Sequence, residues 1–185
     1  MSEDRIHEQA AEVLDFWFEE AGKERWWRKD EEFDAEIRER FGVLRNDVLT
    51  TQATGWRDDS ETLLAAVIIL DQFSRNLFRV DAEAFAADEL ALDLTREALA
   101  HGWDEAMDSD HRQFLYMPLM HSEHMADQNE SVRLFDAMAD DGHDKHAHLH
   151  RDQIERFGRF PGRNEALGRT SGEAEREALA SGAAF

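Results

Sequence analysis

The stretch LLAAVIILDQFSRNLFR, Leu63 to Arg79, decides the fold. Its first eight residues, Leu63 to Leu70, are apolar without interruption. A helix that is apolar nearly all round belongs at the centre of a domain rather than on its surface. The run is too short to cross a membrane, which takes roughly 20 such residues. The pattern therefore predicts a central helix that starts after Ser60, ends near Phe78 and has other helices packed around it.

The flanking sequence supplies those helices. On the N-terminal side one is expected over Ile6 to Glu20, burying Val13, Phe16 and Trp17. Asp30 can cap a second, whose stripe of Phe33, Ile37, Phe41, Leu44 and Val48 recurs every three or four residues. On the C-terminal side AEAFAADELALDLTREALA (82–100) reads as one helix stopped by Gly102. HRQFLYMPLMHSEHMA (111–126) reads as another, bent at Pro118. Asn129 or Ser131 is expected to open a short helix ending near Asp140–Gly142, and His143 to Phe157 to form the next. RNEALGR and GEAEREALA are expected to close the chain helically. No stretch alternates apolar and polar residues for long enough to suggest a strand. The expectation is a single all-α domain over residues 1–185, built from antiparallel helix pairs stacked as a layered array or an irregular bundle.

Composition narrows the role. The chain carries 42 Asp+Glu against 21 Lys+Arg, a formal net charge of -21, yet 42% of it is hydrophobic with twelve Phe and five Trp. Such a content of large apolar side chains excludes an acidic disordered protein. The negative field repels phosphate backbones, so no nucleic-acid partner is expected. Lys occurs only at Lys23, Lys29 and Lys145, and the acidic balance suits a protein kept soluble at high ionic strength, a salt-adapted one. Without Cys, disulfides and thiolate chemistry are excluded. The N-terminus MSEDRIHEQ lacks the pattern of a secretory signal. The chain reads as soluble and cytoplasmic, with no membrane partner and an oligomeric state that the sequence leaves open.

Two segments carry polar residues in unusual places. Asp71, Arg75 and Arg79 are spaced by four and continue the apolar face of the central helix, beside Gln72 and Asn76. Buried charges need partners, so an Asp71–Arg75 pair is expected, with Arg79 reaching elsewhere. In FGRFPGRN (157–164) Gly and Pro break a helix and leave Arg159, Arg163 and Asn164 in the turn. These groups either tie helices together, Arg159 and Arg163 capping carbonyls, or converge on Arg75 and Arg79 as an anion site, where guanidinium forks suit carboxylate or phosphate. His121 lies on the stripe of Phe114 and Met125, with Glu123 nearby, while His143, His146 and His150 share one helix face. His121 with Glu123, or His150 with Asp152, could supply acid–base chemistry. Neither H-E-x-x-H nor E-x-x-H occurs, so no metal and no cofactor is expected. Dinucleotide, P-loop and α/β-hydrolase fingerprints are absent as well.

Five motifs in order make a more specific pattern: VLDFWF from Val13, W-x-x-D-x-x-F-D ending at Asp34, D-Q-F-x-R-N-x-F-R from Asp71, F-L-Y-x-P-x-M-H-S-E from Phe114 and F-G-R-F-P-x-R-N from Phe157. Together they resemble the bacterial family known as domain of unknown function nine-two-four, over about Val13 to Leu179. The resemblance implies an all-α, tetratricopeptide-like right-handed superhelix. Its pattern falls on Asp71, Gln72, Arg75, Asn76 and Arg79, on His121, Ser122 and Glu123, and on His150, Arg159, Arg163 and Asn164. Gly162 stands where the pattern has His, and Arg169 to Gly172 blurs an R-x-S-T segment. The leading expectation is a protein that holds an anionic small molecule or peptide in a cleft lined by Asp71, Gln72, Arg75, Asn76, Arg79, Arg159, Arg163 and Asn164. The alternatives are a hydrolase or transferase with His150 or His121 as general base, the arginines stabilising an anion, and a purely structural domain.

Overall fold

A computed structural model describes residues 2–138 and 144–184. All regular structure among the described residues is helical. Helix α1 (Glu3–Leu14) runs into a π-helical turn, Asp15–Ala21, and the short α2 (Gly22–Trp26). Helix α3 (Glu31–Thr50) starts at Asp30, whose carboxylate accepts from the backbone N–H of Glu32 and Phe33 at 3.0 and 3.1 Å. All five residues of its expected stripe are buried.

The central helix is α4 (Ser60–Ile68), a π-helical turn at Ile69–Phe73, and α5 (Ser74–Phe78), one after another without a break. Its cap is Asp59, which accepts from Glu61 and Thr62 N–H at 2.9 and 3.0 Å. Every residue from Thr62 to Ser74 is buried, as an all-round apolar helix requires. α1 and α3 pack on it from one side, and α6 (Asp88–His101) and α7 (Ser109–His121) from the other. α8 (Met125–Ala137) then packs on α7, and α9 (Asp144–Phe157) on α8, so successive helices are spatial neighbours. α10 (Glu173–Ala180) ends the chain. No helix among the described residues is long and apolar enough to cross a membrane.

Several boundaries differ from the sequence expectation for local reasons. The segment 82–100 is a 3-10 turn, Ala82–Phe85, followed by α6, which ends at the left-handed Gly102. The expected 111–126 helix breaks at Ser122, and α8 starts at Met125 rather than at Asn129 or Ser131. The amide of Gln128 donates to the carbonyls of Met120 and Ser122 at 2.7 and 2.6 Å, and Ser122 Oγ donates to Asp127 at 2.7 Å. The Gln128 amide thus satisfies the Met120 carbonyl of α7, which a continuing helix would have used. RNEALGR forms no α-helix: a 3-10 turn at Pro161–Arg163 leads into irregular turns. The expected helix end at Asp140–Gly142, and His143, lie outside the described residues.

Candidate functional site

The site is built where the central helix is irregular. A π turn admits one extra residue and is often found where a helix presents functional groups, and here it holds Asp71 and Gln72. Asp71 is 1% exposed. Its Oδ1 meets His121 Nδ1 at 2.7 Å and Arg75 Nη1 at 3.0 Å, and Gln72 Nε2 donates to Oδ2 at 2.6 Å. Burial raises the Asp71 pKa, but Arg75, His121 and the Gln72 amide outweigh it and hold the carboxyl well below the usual range. The expected Asp71–Arg75 pair is present.

His121, the last residue of α7, is the other half of this pair. Burial and the positive charge of Arg75 lower its pKa against the opposing pull of Asp71, so the ring is neutral near pH 7. Beside an ionised Asp71, the neutral ring carries its proton on Nδ1 and donates it to the carboxylate. The lone pair is then on Nε2. His150, on α9, lies with its ring centroid 6.0 Å from that of His121. Its Nδ1 donates to the His146 carbonyl at 2.7 Å, and burial, with His121 next in effect, takes its pKa down to about 3.

Both imidazoles line a pocket of about 370 Å³ between α7, α8, α9 and Trp27. Trp27, Met117, Met120 and Phe135 give it apolar walls. Its remaining lining is Gln113, His121, His146 and His150. Pockets of this size and make-up suit small molecules. Among the described residues the wall contains no Ser, Thr, Cys, Lys, Arg, Asp or Glu.

Three carboxylates divide the other candidate residues among them. Asp88, in the first turn of α6, takes two bonds from Arg75 at 3.0 and 3.1 Å and one from Arg163 at 3.1 Å. Arg163 also donates to the His121 carbonyl at 2.9 Å and lies over the rings of Phe85 and Phe160. Asp34, on α3, takes Asn76 at 2.8 Å and both arms of Arg79 at 2.7 and 2.5 Å. Arg79 terminates α5 at φ 42°, and this left-handed turn takes its side chain off the face it was expected to share with Arg75. Glu175, on α10, takes Arg159 at 2.7 and 2.8 Å and Asn164 at 3.3 Å. The four arginines therefore do not meet in one cleft: Arg75 and Arg163 share Asp88, while Arg79 and Arg159 lie on separate carboxylates. Nor does either acid–base pairing suggested by sequence proximity form. Glu123 is bonded to Phe160 N–H at 2.8 Å and to Arg169 at 2.7 and 3.0 Å. Asp152 is paired with Arg151.

Sequence reading missed Asp88 and Glu175, which look like ordinary first-turn acids, and it missed Gln113 and Trp27 on the pocket wall. Asp34 was within a quoted motif without a role. The i, i+4, i+7, i+8 recurrence of Gln113, Met117, Met120 and His121 on α7 was the available signal.

The depressed histidines make stability depend on pH. The unfolded chain protonates both rings below about pH 6.5, whereas in the folded chain both pKa values are lowered, that of His150 to about 3. Stability is therefore lost as pH falls below about 6.5, by up to about 1.4 kcal/mol per pH unit for His150, and His121 adds a loss in the same direction. Asp71 stays ionised through pH 5 in both states, since its contribution is lost only as pH falls below its unfolded value near 4. Urea unfolding between pH 7.5 and 5 is expected to show a falling midpoint, and the double variant His121→Gln, His150→Gln a much flatter one.

Fold and site together define an all-α protein with a histidine, backed by a buried aspartate, on the wall of a largely apolar pocket. The chain belongs to the family described as bacterial protein of unknown function, DUF924, whose model matches residues 13–183. It is similar to a solved structure of a protein of unknown function from Agrobacterium tumefaciens, with 38% identity and a TM-score of 0.90, covering 95% of this chain and 98% of that one. No curated protein matches the chain.

Proposed function

We propose that the protein is a hydrolytic enzyme in which His121 is the general base. The observation that carries this reading is the 2.7 Å contact of His121 Nδ1 with buried Asp71, on a ring that lines the pocket. A carboxylate on Nδ1 fixes the tautomer and stabilises the imidazolium that forms when Nε2 takes a proton. The lowered pKa keeps His121 unprotonated, and so able to accept, at neutral pH. With no hydroxyl or thiol among the described wall residues, the fitting reaction is direct attack by water on an ester carbonyl: His121 takes the water's proton as the new C–O bond forms, and the acyl–oxygen bond to the alcohol breaks as that proton is returned to the departing oxygen. Arg75 and Arg163 act as positive charges on His121, and Arg163 on His150, which favours negative charge developing on the carbonyl oxygen. Pairing of all four arginines with carboxylates counts against the alternative, a resident anion held on them.

Release of nitrophenol from a panel of neutral nitrophenyl esters tests the reading. Wild-type protein is expected to turn over at least one ester, and His121→Gln to lose about 10²–10⁴ of that rate. His148→Gln alters an exposed ring paired with Asp136 and is expected to leave the rate unchanged. Equal rates in wild type and His121→Gln, or no turnover across the panel, would sink the proposal.

A further inference from the structure

One pocket residue has no place in that chemistry. Gln113 is 1% exposed and lines the pocket, yet its Nε2 has no hydrogen-bond partner among the described residues. A buried donor left unpaired costs free energy, and native proteins keep few of them. Gln113 is eight residues before His121 on α7, which places it roughly 12 Å away along the helix axis. Met117 and Met120 occupy the wall between them. One face of one helix thus presents an amide at one end, thioether side chains in the middle and a basic imidazole at the other end.

We infer that the pocket takes an elongated, electrically neutral molecule that is apolar along its middle, presents its reacting group to His121 and places a carbonyl oxygen on the Gln113 amide. The described wall residues carry no carboxylate, ammonium or guanidinium group, which argues for neutrality: a carboxylate or ammonium group at the Gln113 end would leave water without meeting an opposite charge there. The middle is argued from Met117 and Met120, unbranched side chains that adapt to irregular apolar shapes. The carbonyl is argued from the donor itself, because a site built to hydrogen-bond a group discriminates against analogues that lack it. This substrate class rests on the hydrolase reading for its orientation, but binding at Gln113 does not.

Three probes of one shape separate the possibilities: 4-phenylbutanamide, 4-phenylbutanoate and butylbenzene, with binding to the full chain followed by calorimetry. The amide is expected to bind about tenfold tighter than the other two. Gln113→Leu is expected to bring the amide down to the level of butylbenzene while leaving butylbenzene binding intact. That variant is also expected to melt above wild type without ligand, since an unpaired buried amide is gone, which checks that it folds. His121→Gln is expected to keep the preference for the amide. Tightest binding by the carboxylate, binding of none of the three, or an amide preference that survives in Gln113→Leu overturns the inference. If the preference holds while His121→Gln leaves ester turnover untouched, the hydrolase reading falls and the Gln113 site stands.

Discussion

Asp71→Ala is expected to lower the unfolding free energy by about 3–5 kcal/mol, the range for removing one partner of a buried ion pair. The size follows from what stays behind. Arg75 keeps its two bonds to Asp88, but the His121 Nδ1–H and the Gln72 amide lose the acceptor they share. Asp71 itself is 1% exposed, so little solvent reaches its place to replace the carboxylate. Asp71→Asn keeps the shape and one acceptor while removing the charge, and about 1.5–3 kcal/mol is expected to be lost. Urea unfolding at pH 7 measures both. A loss under 1 kcal/mol for the alanine variant would show that Asp71 does not hold this part of the core.

The second large effect is expected at Arg45, which no motif marked. It lies on α3 with its side chain 1% exposed. Its Nε donates to Ser74 Oγ at 2.9 Å, and its two terminal nitrogens reach the Glu83 carboxylate at 2.5 Å and the Glu83 carbonyl at 3.0 Å. The guanidinium also lies 4.9 Å from the Phe78 ring centroid. Arg45 thus fastens α3 to the start of α5 and to the 3-10 turn ahead of α6. Arg45→Ala removes these bonds and a long apolar stem, with an expected cost of about 3–5 kcal/mol. Arg45→Met keeps the stem, and recovery of about 1–2 kcal/mol is expected relative to alanine. Because the guanidinium is buried, 1 M salt is expected to change these differences little. A loss that vanishes at high salt would mean that the pair acts as a surface one.

These two residues mark where the sequence could and could not be read. Asp71 was conspicuous because a charge on an apolar helix face breaks the pattern around it, and its spacing from Arg75 named its first partner. The helix starts were equally plain at Asp30, where the capping carboxylate precedes a regular stripe. Arg45 had no such contrast: one arginine on a mostly polar helix looks solvated until α5 and the turn at Ala82 are packed over it. The three carboxylates that divide the site arginines are 13 to 75 residues away in sequence from the arginines bonded to them, so no local spacing could assign them. The break at Ser122 was hidden for a related reason. Phe114 to Met125 keeps helical periodicity, and what ends α7 is the amide of Gln128 from the next helix. The pocket was legible only as a row of residues on α7, because its opposite wall comes from α8, α9 and Trp27.

The π turn at Ile69–Phe73 gives this site an unusual kind of fragility. In an α-helix each residue adds about 100° of rotation, so removing a single residue from the turn would restore regular pitch and swing the chain before it by a large part of a revolution. Asp71 would then turn relative to His121 on α7, even with every other side chain still present. Side-chain exchanges test a site of this sort for chemistry, whereas a shift in residue count tests its geometry. For descendants of this sequence, a point change at Asp71 removes one contact, but a one-codon deletion beside it would dismantle the whole arrangement while leaving its composition almost untouched.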